Sequence, residues 1–187
     1  EKDMNYADIK RVDVANGEGV RVSIFVSGCN HHCKGCFNEC AWDFKYGKEF
    51  TKNEQNEIVN YLGHDYIEGL TLLGGEPLEK VNQEGLLPLV KEVKEKYPGK
   101  TIWCYTGFDF EKDVMGKMLK TNPVTNQLVK YLDVVVDGKF QLENKNPKLR
   151  FRGSSNQRII DVQETLKTNK IVEINKYYTE NKNVANI

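Results

Sequence analysis

The sequence predicts an α/β protein on a mainly parallel, curved sheet, a partial βα barrel open on one side. Three observations predict it. Four short apolar runs, at 20–26, 70–73, 102–105 and 134–136, each end in glycine or polar residues, as buried parallel strands with functional carboxyl ends do. Helical patterns lie between them, and strands alternating with helices form βαβ units joined by right-handed connections. The chain has 187 residues, short of the roughly 250 that a complete eight-stranded barrel takes, so the sheet is expected to stay open and to admit a large substrate.

Each element has its own signal. An extended run at 9–14 precedes Gly17-Glu18-Gly19 and predicts a hairpin with the first barrel strand. In that strand Val20, Val22, Ile24 and Val26 alternate before Ser27-Gly28-Cys29. Thr51 with Glu54 three residues on reads as a capping box, followed by Ile58, Tyr61 and Leu62 and a stop at Gly63. The second strand opens into Gly74-Gly75-Glu76-Pro77. Leu86, Leu89, Val90, Val93 and Tyr97 recur at helical spacing until Pro98-Gly99. The third strand leads to Thr106-Gly107, and two helical stretches follow, at 114–120 and, after Asn122-Pro123, at 124–132. The fourth strand leads to Asp137-Gly138; Ile159 and Ile160 predict another strand, 162–166 a short helix, and 171–178 an extended arm. With no repeat, low-complexity tract or linker, the chain reads as one domain, its core at about 13–162 and a carboxyl-terminal extension at 163–187 that matches no motif.

Composition excludes some functions. The 27 basic and 27 acidic residues cancel, so the chain lacks the net-charge footprint of a nucleic-acid binder. No apolar stretch is long enough to span a bilayer and the first residues have no signal-peptide pattern, so no membrane association and a cytoplasmic location are expected. Five cysteines is an odd count, and four fall between 29 and 40, which suits a metal loop in a reducing compartment better than a disulfide framework.

The chemistry concentrates in Cys29-Asn-His-His-Cys33-Lys-Gly-Cys36-Phe37. Three thiolates from one loop can hold an iron–sulfur cluster and leave one iron without a protein ligand. The competing reading is structural zinc on Cys29, Cys33, Cys36 and Cys40, with His31 or His32 as substitutes. Zinc motifs usually pair two ligand doublets across an intervening segment, and all candidates here lie together with no second doublet downstream. His31 and His32 read as exposed loop residues, and Cys40 and Cys104 as ordinary buried thiols. In Gly74-Gly75-Glu76 the paired glycines let main chain approach a ligand and the carboxylate accepts from an ammonium; the alternative is a plain turn. A phosphate loop is disfavoured because the Lys-Ser/Thr ending is missing. Thr106 and Asp137 sit at strand ends pointing the same way, either as cofactor contacts or as turn formers. Arg152, Asn156 and Arg158 read either as a carboxylate- or partner-orienting group or as a structural corner.

The spacing Cys29-x-x-x-Cys33-x-x-Cys36 resembles the cluster motif of the radical S-adenosylmethionine superfamily. Together with Cys36-Phe37-Asn38, Gly74-Gly75-Glu76-Pro77-Leu78, Trp103-x-Tyr105-Thr106-Gly107, Asp137-Gly138-x-Phe140 and Arg152-Gly-Ser-Ser-Asn-Gln-Arg158, it is similar to the family of activases of anaerobic ribonucleoside-triphosphate reductases, from about Asp13 to Val162. The resemblance implies a 4Fe-4S cluster on Cys29, Cys33 and Cys36 whose fourth iron chelates the methionine part of S-adenosylmethionine. By the same analogy Gly35, Cys36 and Phe37 lie beside the adenine, Gly74, Gly75 and Glu76 receive the ammonium, and Thr106 and Asp137 contact the ribose or methionine portion. It implies reductive cleavage of the cofactor to a 5′-deoxyadenosyl radical, which takes hydrogen from a glycine of the large glycyl-radical subunit of the reductase, with a flavodoxin-like protein as electron donor. Two departures stand out: Gly35 occupies a position that is aromatic in much of the superfamily, and Glu76 one that is often Asp. Activation of another glycyl-radical enzyme, a small-molecule reaction, and a non-enzymatic zinc or iron–sulfur module are the alternatives.

Overall fold

The computed structural model describes residues 3–178. They form one open, mixed sheet of seven strands in the order β3-β1-β2-β4-β5-β6-β7. The central four, β2 (Arg21–Val26), β4 (Gly69–Gly74), β5 (Thr101–Tyr105) and β6 (Val134–Asp137), are mutually parallel and carry the four predicted apolar runs. The predicted hairpin is present, with β1 (Asn5–Asp13) antiparallel to β2 and the short β3 (Lys48–Glu49) beyond it; β7 (Arg158–Asp161) closes the far edge antiparallel to β6. Val26 is in register with Gly74, so the motif-bearing ends line up along one edge of the sheet.

Strand alternation divides the core in two. Val22, Ile24, Leu70, Leu72, Ile102 and Val135 face the helices α1 (Lys52–Leu62), α2 (Lys80–Lys96) and α4 (Pro123–Val129) in the main apolar cluster. Trp103, Val134, Val136 and Ile159 form a second cluster, closed by Tyr177. Arg21, hidden within the apolar alternation of β2, is fully buried. Its guanidinium donates to Thr71 Oγ1 (2.8 Å), Thr101 Oγ1 (3.0 Å) and the carbonyls of Glu18, Leu70 and Thr101 (2.8–3.0 Å), and lies over Trp103. Burial lowers its pKa to about 10. Arg21→Met is expected to leave these carbonyls unpaired in the core and to cost about 3 kcal/mol or more, read as a lower midpoint in urea unfolding.

Three elements differ from the sequence reading. The helix expected from Leu86 starts at Lys80, since Pro88 and the polar first turns mask its apolar spacing; buried Asn82 and Gln83 carry that inner face instead. The 114–120 stretch is a π-helix, Phe110–Met118, that runs into a short α-turn, α3 (Leu119–Thr121). Val114 N–H reaches back five residues to the Asp109 carbonyl (3.2 Å). The arm at 171–178 is not extended throughout: Glu173 bridges to Ile160, then Asn175–Tyr177 turns as a 3₁₀ helix. That turn seats Tyr177 against Trp103, and Tyr178 OH accepts from Ile159 N–H (2.8 Å), so this part of the extension covers the second core; 179–187 lie outside the described residues. The capping box at Thr51 and the helix α5 (Val162–Thr168) form as expected. Among the described residues no helix is long and apolar enough to cross a membrane.

Candidate functional site

A cavity of about 220 Å³ opens at the carboxyl ends of the parallel strands. Cys29, Cys33 and Cys36 line it from the loop after β2, Gly74, Gly75 and Glu76 from the loop after β4, Thr106 from the end of β5, and Phe37 and Phe140 from its sides. Of the residues singled out in the sequence, Gly35, Asp137, Arg152, Asn156 and Arg158 lie outside this lining.

All five cysteines are free thiols. One of the three lining sulfurs accepts a main-chain hydrogen bond, Cys36 from Asn38 N–H (3.5 Å), and the nearby N–H groups of His31 and His32 at Cys29 and of Phe140 at Cys33 favour the thiolate. Main-chain donors aimed at sulfur stabilise thiolate and tune an iron–sulfur cluster. Burial works the other way, pushing the Cys29 thiol up to about 11 and the Cys33 thiol up as well, so both need a cationic partner to ionise fully. Among the described residues no three Cys, His, Asp or Glu side chains close on a point as the ligands of one ion would. Trp42 and Tyr105 also line the cavity, and the Trp42 indole N–H and Tyr105 hydroxyl are buried without a protein partner. Three free thiols from one loop on a single cavity, one of them accepting from main-chain N–H, fit an iron–sulfur cluster. Cys40 is exposed in a 3₁₀ turn, contrary to the expected buried thiol, while Cys104 is buried on the helix-facing side of β5, where desolvation pushes its thiol well up.

The loop after β4 is fixed by close backbone contact. A Cβ on Gly75 would stand 2.6 Å from the Gly28 carbonyl oxygen and 2.9 Å from that of Ala41, and Gly74 has φ +111°, so neither position takes a side chain without displacing main chain. Glu76 N–H donates to the Gly28 carbonyl (2.7 Å), and Asn82 Nδ2 donates to the carbonyls of both Ser27 and Glu76 (3.0 and 2.8 Å). The cysteine loop and the Gly-Gly-Glu loop are thus one hydrogen-bonded unit.

Glu76 is 1 % exposed and its carboxylate is fully engaged. Oε1 accepts from Gly107 N–H (2.7 Å) and His31 Nε2 (2.8 Å), Oε2 from Leu78 N–H (2.8 Å), and Thr106 Oγ1 lies within 3.0 Å of both oxygens. His31 is therefore not the exposed loop residue expected. Its ring sits edge-on to Phe108 at 4.4 Å, in space that exists because residue 107 is glycine, where a Cβ would stand 2.6 Å from the ring. His32 is exposed, as expected, and stacks on Trp42. No sequence signal marked His31, because its partners come from loops 45 and more residues away.

The remaining candidates are held within the protein. Asp137 is 2 % exposed and accepts from Phe110 N–H (2.8 Å) and from Arg158 Nη2 (2.7 Å); this pair holds the Arg158 guanidinium protonated far above its ordinary range. Arg152 donates to the Gln157 carbonyl (3.2 Å) and lies over the Tyr178 ring, and Asn156 Nδ2 donates to the Lys139 carbonyl (2.8 Å). These four residues build the corner that carries the β6–β7 loop back against the cavity.

Comparison with known proteins bears on the same region. A family model described as 4Fe-4S single cluster domain matches residues 15–160. The chain is 44% identical over 156 residues to the anaerobic ribonucleoside-triphosphate reductase-activating protein of Enterobacteria phage T4, covering 83% of this chain and 93% of that one. It is 41% identical to the proteins of the same name from Pasteurella multocida (strain Pm70) and Escherichia coli (strain K12), with 82% of this chain matched and 95% and 96% of theirs. Likeness of this degree along nearly the full length of those relatives, with a cluster-domain match spanning the three-thiol loop, means that the chain belongs to the family of anaerobic ribonucleoside-triphosphate reductase-activating proteins.

Proposed function

We propose that this chain is a single-domain radical S-adenosylmethionine enzyme, with a partial βα barrel of that type, that activates an anaerobic ribonucleoside-triphosphate reductase. The observation that carries the reading is the set of three free thiols, all from the loop after β2, on one cavity at the carboxyl ends of the parallel strands. The names of the relatives and the 4Fe-4S family model support it. Cys29, Cys33 and Cys36 would hold three irons of the cluster and leave the fourth to S-adenosylmethionine. When bound, the cluster and this cofactor supply one-electron cleavage of the sulfonium bond, whose product radical removes hydrogen from a glycine of the reductase.

The chain's own residues supply placement and exclusion of water, which suits a site whose difficult step belongs to its cofactors. Gly74 and Gly75 bring bare main chain to the ligand, and the negative field of buried Glu76 favours an ammonium beside them. Phe37, 71% exposed and 5.6 Å from Phe140, offers a ring face for the adenine, a role that Gly35 cannot fill. Thr106 reaches the site through Glu76, whereas Asp137 acts from outside the cavity by anchoring Arg158. A flavodoxin-like protein of the cytoplasm is the electron donor this chemistry calls for. The test is to mix the anaerobically reconstituted, reduced protein with S-adenosylmethionine and the reductase. A glycyl radical doublet in the electron paramagnetic resonance spectrum is expected, together with 5′-deoxyadenosine; neither product appearing with an intact cluster overturns the reading.

A further inference from the structure

The chain is neutral overall, yet the loop joining β6 to β7 is not. Between 139 and 152 it carries Lys139, Lys145, Lys148, Arg150 and Arg152 against the single acid Glu143. Among the described residues none of these five cations is within salt-bridge distance of a carboxylate, whereas Lys94 and Arg158 pair with Asp133 and Asp137. Where they sit matters more than their number. Phe140 and Gly153, from this same loop, line the cavity; Leu142 packs over Gly35 of the cysteine loop; and Lys145 Nζ lies 4.9 Å above the Phe37 ring. Phe37 and Leu142 are 71% and 43% exposed, two of only six large apolar side chains so exposed among the described residues. An exposed apolar pair with Lys145 over it, on a loop rich in cations that lines the reaction cavity, has the composition of a protein-docking surface.

We infer that this basic loop is the docking surface for an acidic patch on the reductase, beside the entry of its target glycine. The inference rests on the function proposed above, because hydrogen transfer at this cavity requires the glycine-bearing segment to enter past Phe37 and the β6–β7 loop. Whatever enters there meets Lys145, with Lys148 exposed three residues on in the same loop, so acidic side chains on the entering protein gain charge complementarity that a neutral one does not. Rim charges of this kind act chiefly on the rate of encounter and are screened by salt.

The experiment measures association of the cluster-loaded protein with the reductase for wild type, Lys145→Glu/Lys148→Glu and the charge-conserving Lys145→Arg/Lys148→Arg, at low and high sodium chloride. The reversed variant is expected to bind about tenfold or more weakly at low salt through slower association, with the gap narrowing at high salt. The arginine variant should match wild type. Cluster absorbance should be equal in all three. Equal reductase binding by the reversed variant overturns the inference, as does a loss confined to reduction by the electron-donor protein or to binding of RNA. A wild-type protein that forms no complex with the reductase removes the activase reading itself, a result distinct from the failure of this surface.

Discussion

Cys33→Ala is expected to abolish both cluster assembly and S-adenosylmethionine cleavage while leaving the fold in place. Cys33 lies in an irregular loop, half-buried, with no part in either apolar core, so its removal leaves strand pairing and helix packing untouched. What it removes is one of three thiols. With only Cys29 and Cys36 left, two corners of the cluster would lack protein ligands, and a cluster held by two points is exposed to loss and to oxidation. The same outcome is expected for Cys29→Ala and Cys36→Ala. Cys40→Ala and Cys104→Ala should keep cleavage largely intact: Cys40 is exposed on the far side of the 3₁₀ turn, and Cys104 is enclosed on the helix face of β5. Iron and acid-labile sulfide content, with 5′-deoxyadenosine yield, read all five variants; full activity in Cys33→Ala removes the ligand assignment.

The contrast among these cysteines shows how far the chain could be read before its fold was known. The four parallel strands were legible because each is a continuous apolar run that ends in glycine or a polar group, and buried parallel strands leave just that trace. The three-thiol loop was legible because its cysteines lie within eight residues of one another. Features that depend on distant partners were not. His31 reads as a loop residue until Glu76 and Gly107 are brought to it, and Arg21 carries no signal of its own in the alternating run until Thr71 and Thr101 close around it. The carboxyl-terminal turn escaped for the same reason, since its conformation is set by the aromatic cluster of Trp103, Phe151 and Tyr177 rather than by its own sequence. The polar first turns of α2 hid its start, because Asn82 is buried to bind two backbone carbonyls rather than to pack.

Glu76→Gln is expected to weaken S-adenosylmethionine binding by tenfold or more while iron content falls much less. The reason is the number of donors the carboxylate already serves. His31, Leu78 N–H, Thr106 and Gly107 N–H all converge on its two oxygens, and an ionised carboxylate can accept from all of them because it carries acceptors only. A glutamine amide turns one side into a donor. Whichever way it is placed, its NH₂ faces Leu78 N–H or Gly107 N–H, and a buried clash of donors costs about 1–3 kcal/mol. The penalty falls where the loops after β2, β4 and β5 are tied together, so the groups that move first are His31, Gly107 and the main chain of Gly74 and Gly75. None of the three thiols is hydrogen-bonded to the Glu76 carboxylate, and Cys36 keeps its bond from Asn38 N–H. Loss of the negative charge acts in the same direction, since an ammonium would then enter a buried site with no opposing field. Equilibrium binding of S-adenosylmethionine to the reconstituted variant, set beside its iron content, separates these effects. Unchanged affinity removes Glu76 from the cofactor site, whereas a parallel loss of iron and affinity makes the carboxylate a support for the whole cluster loop.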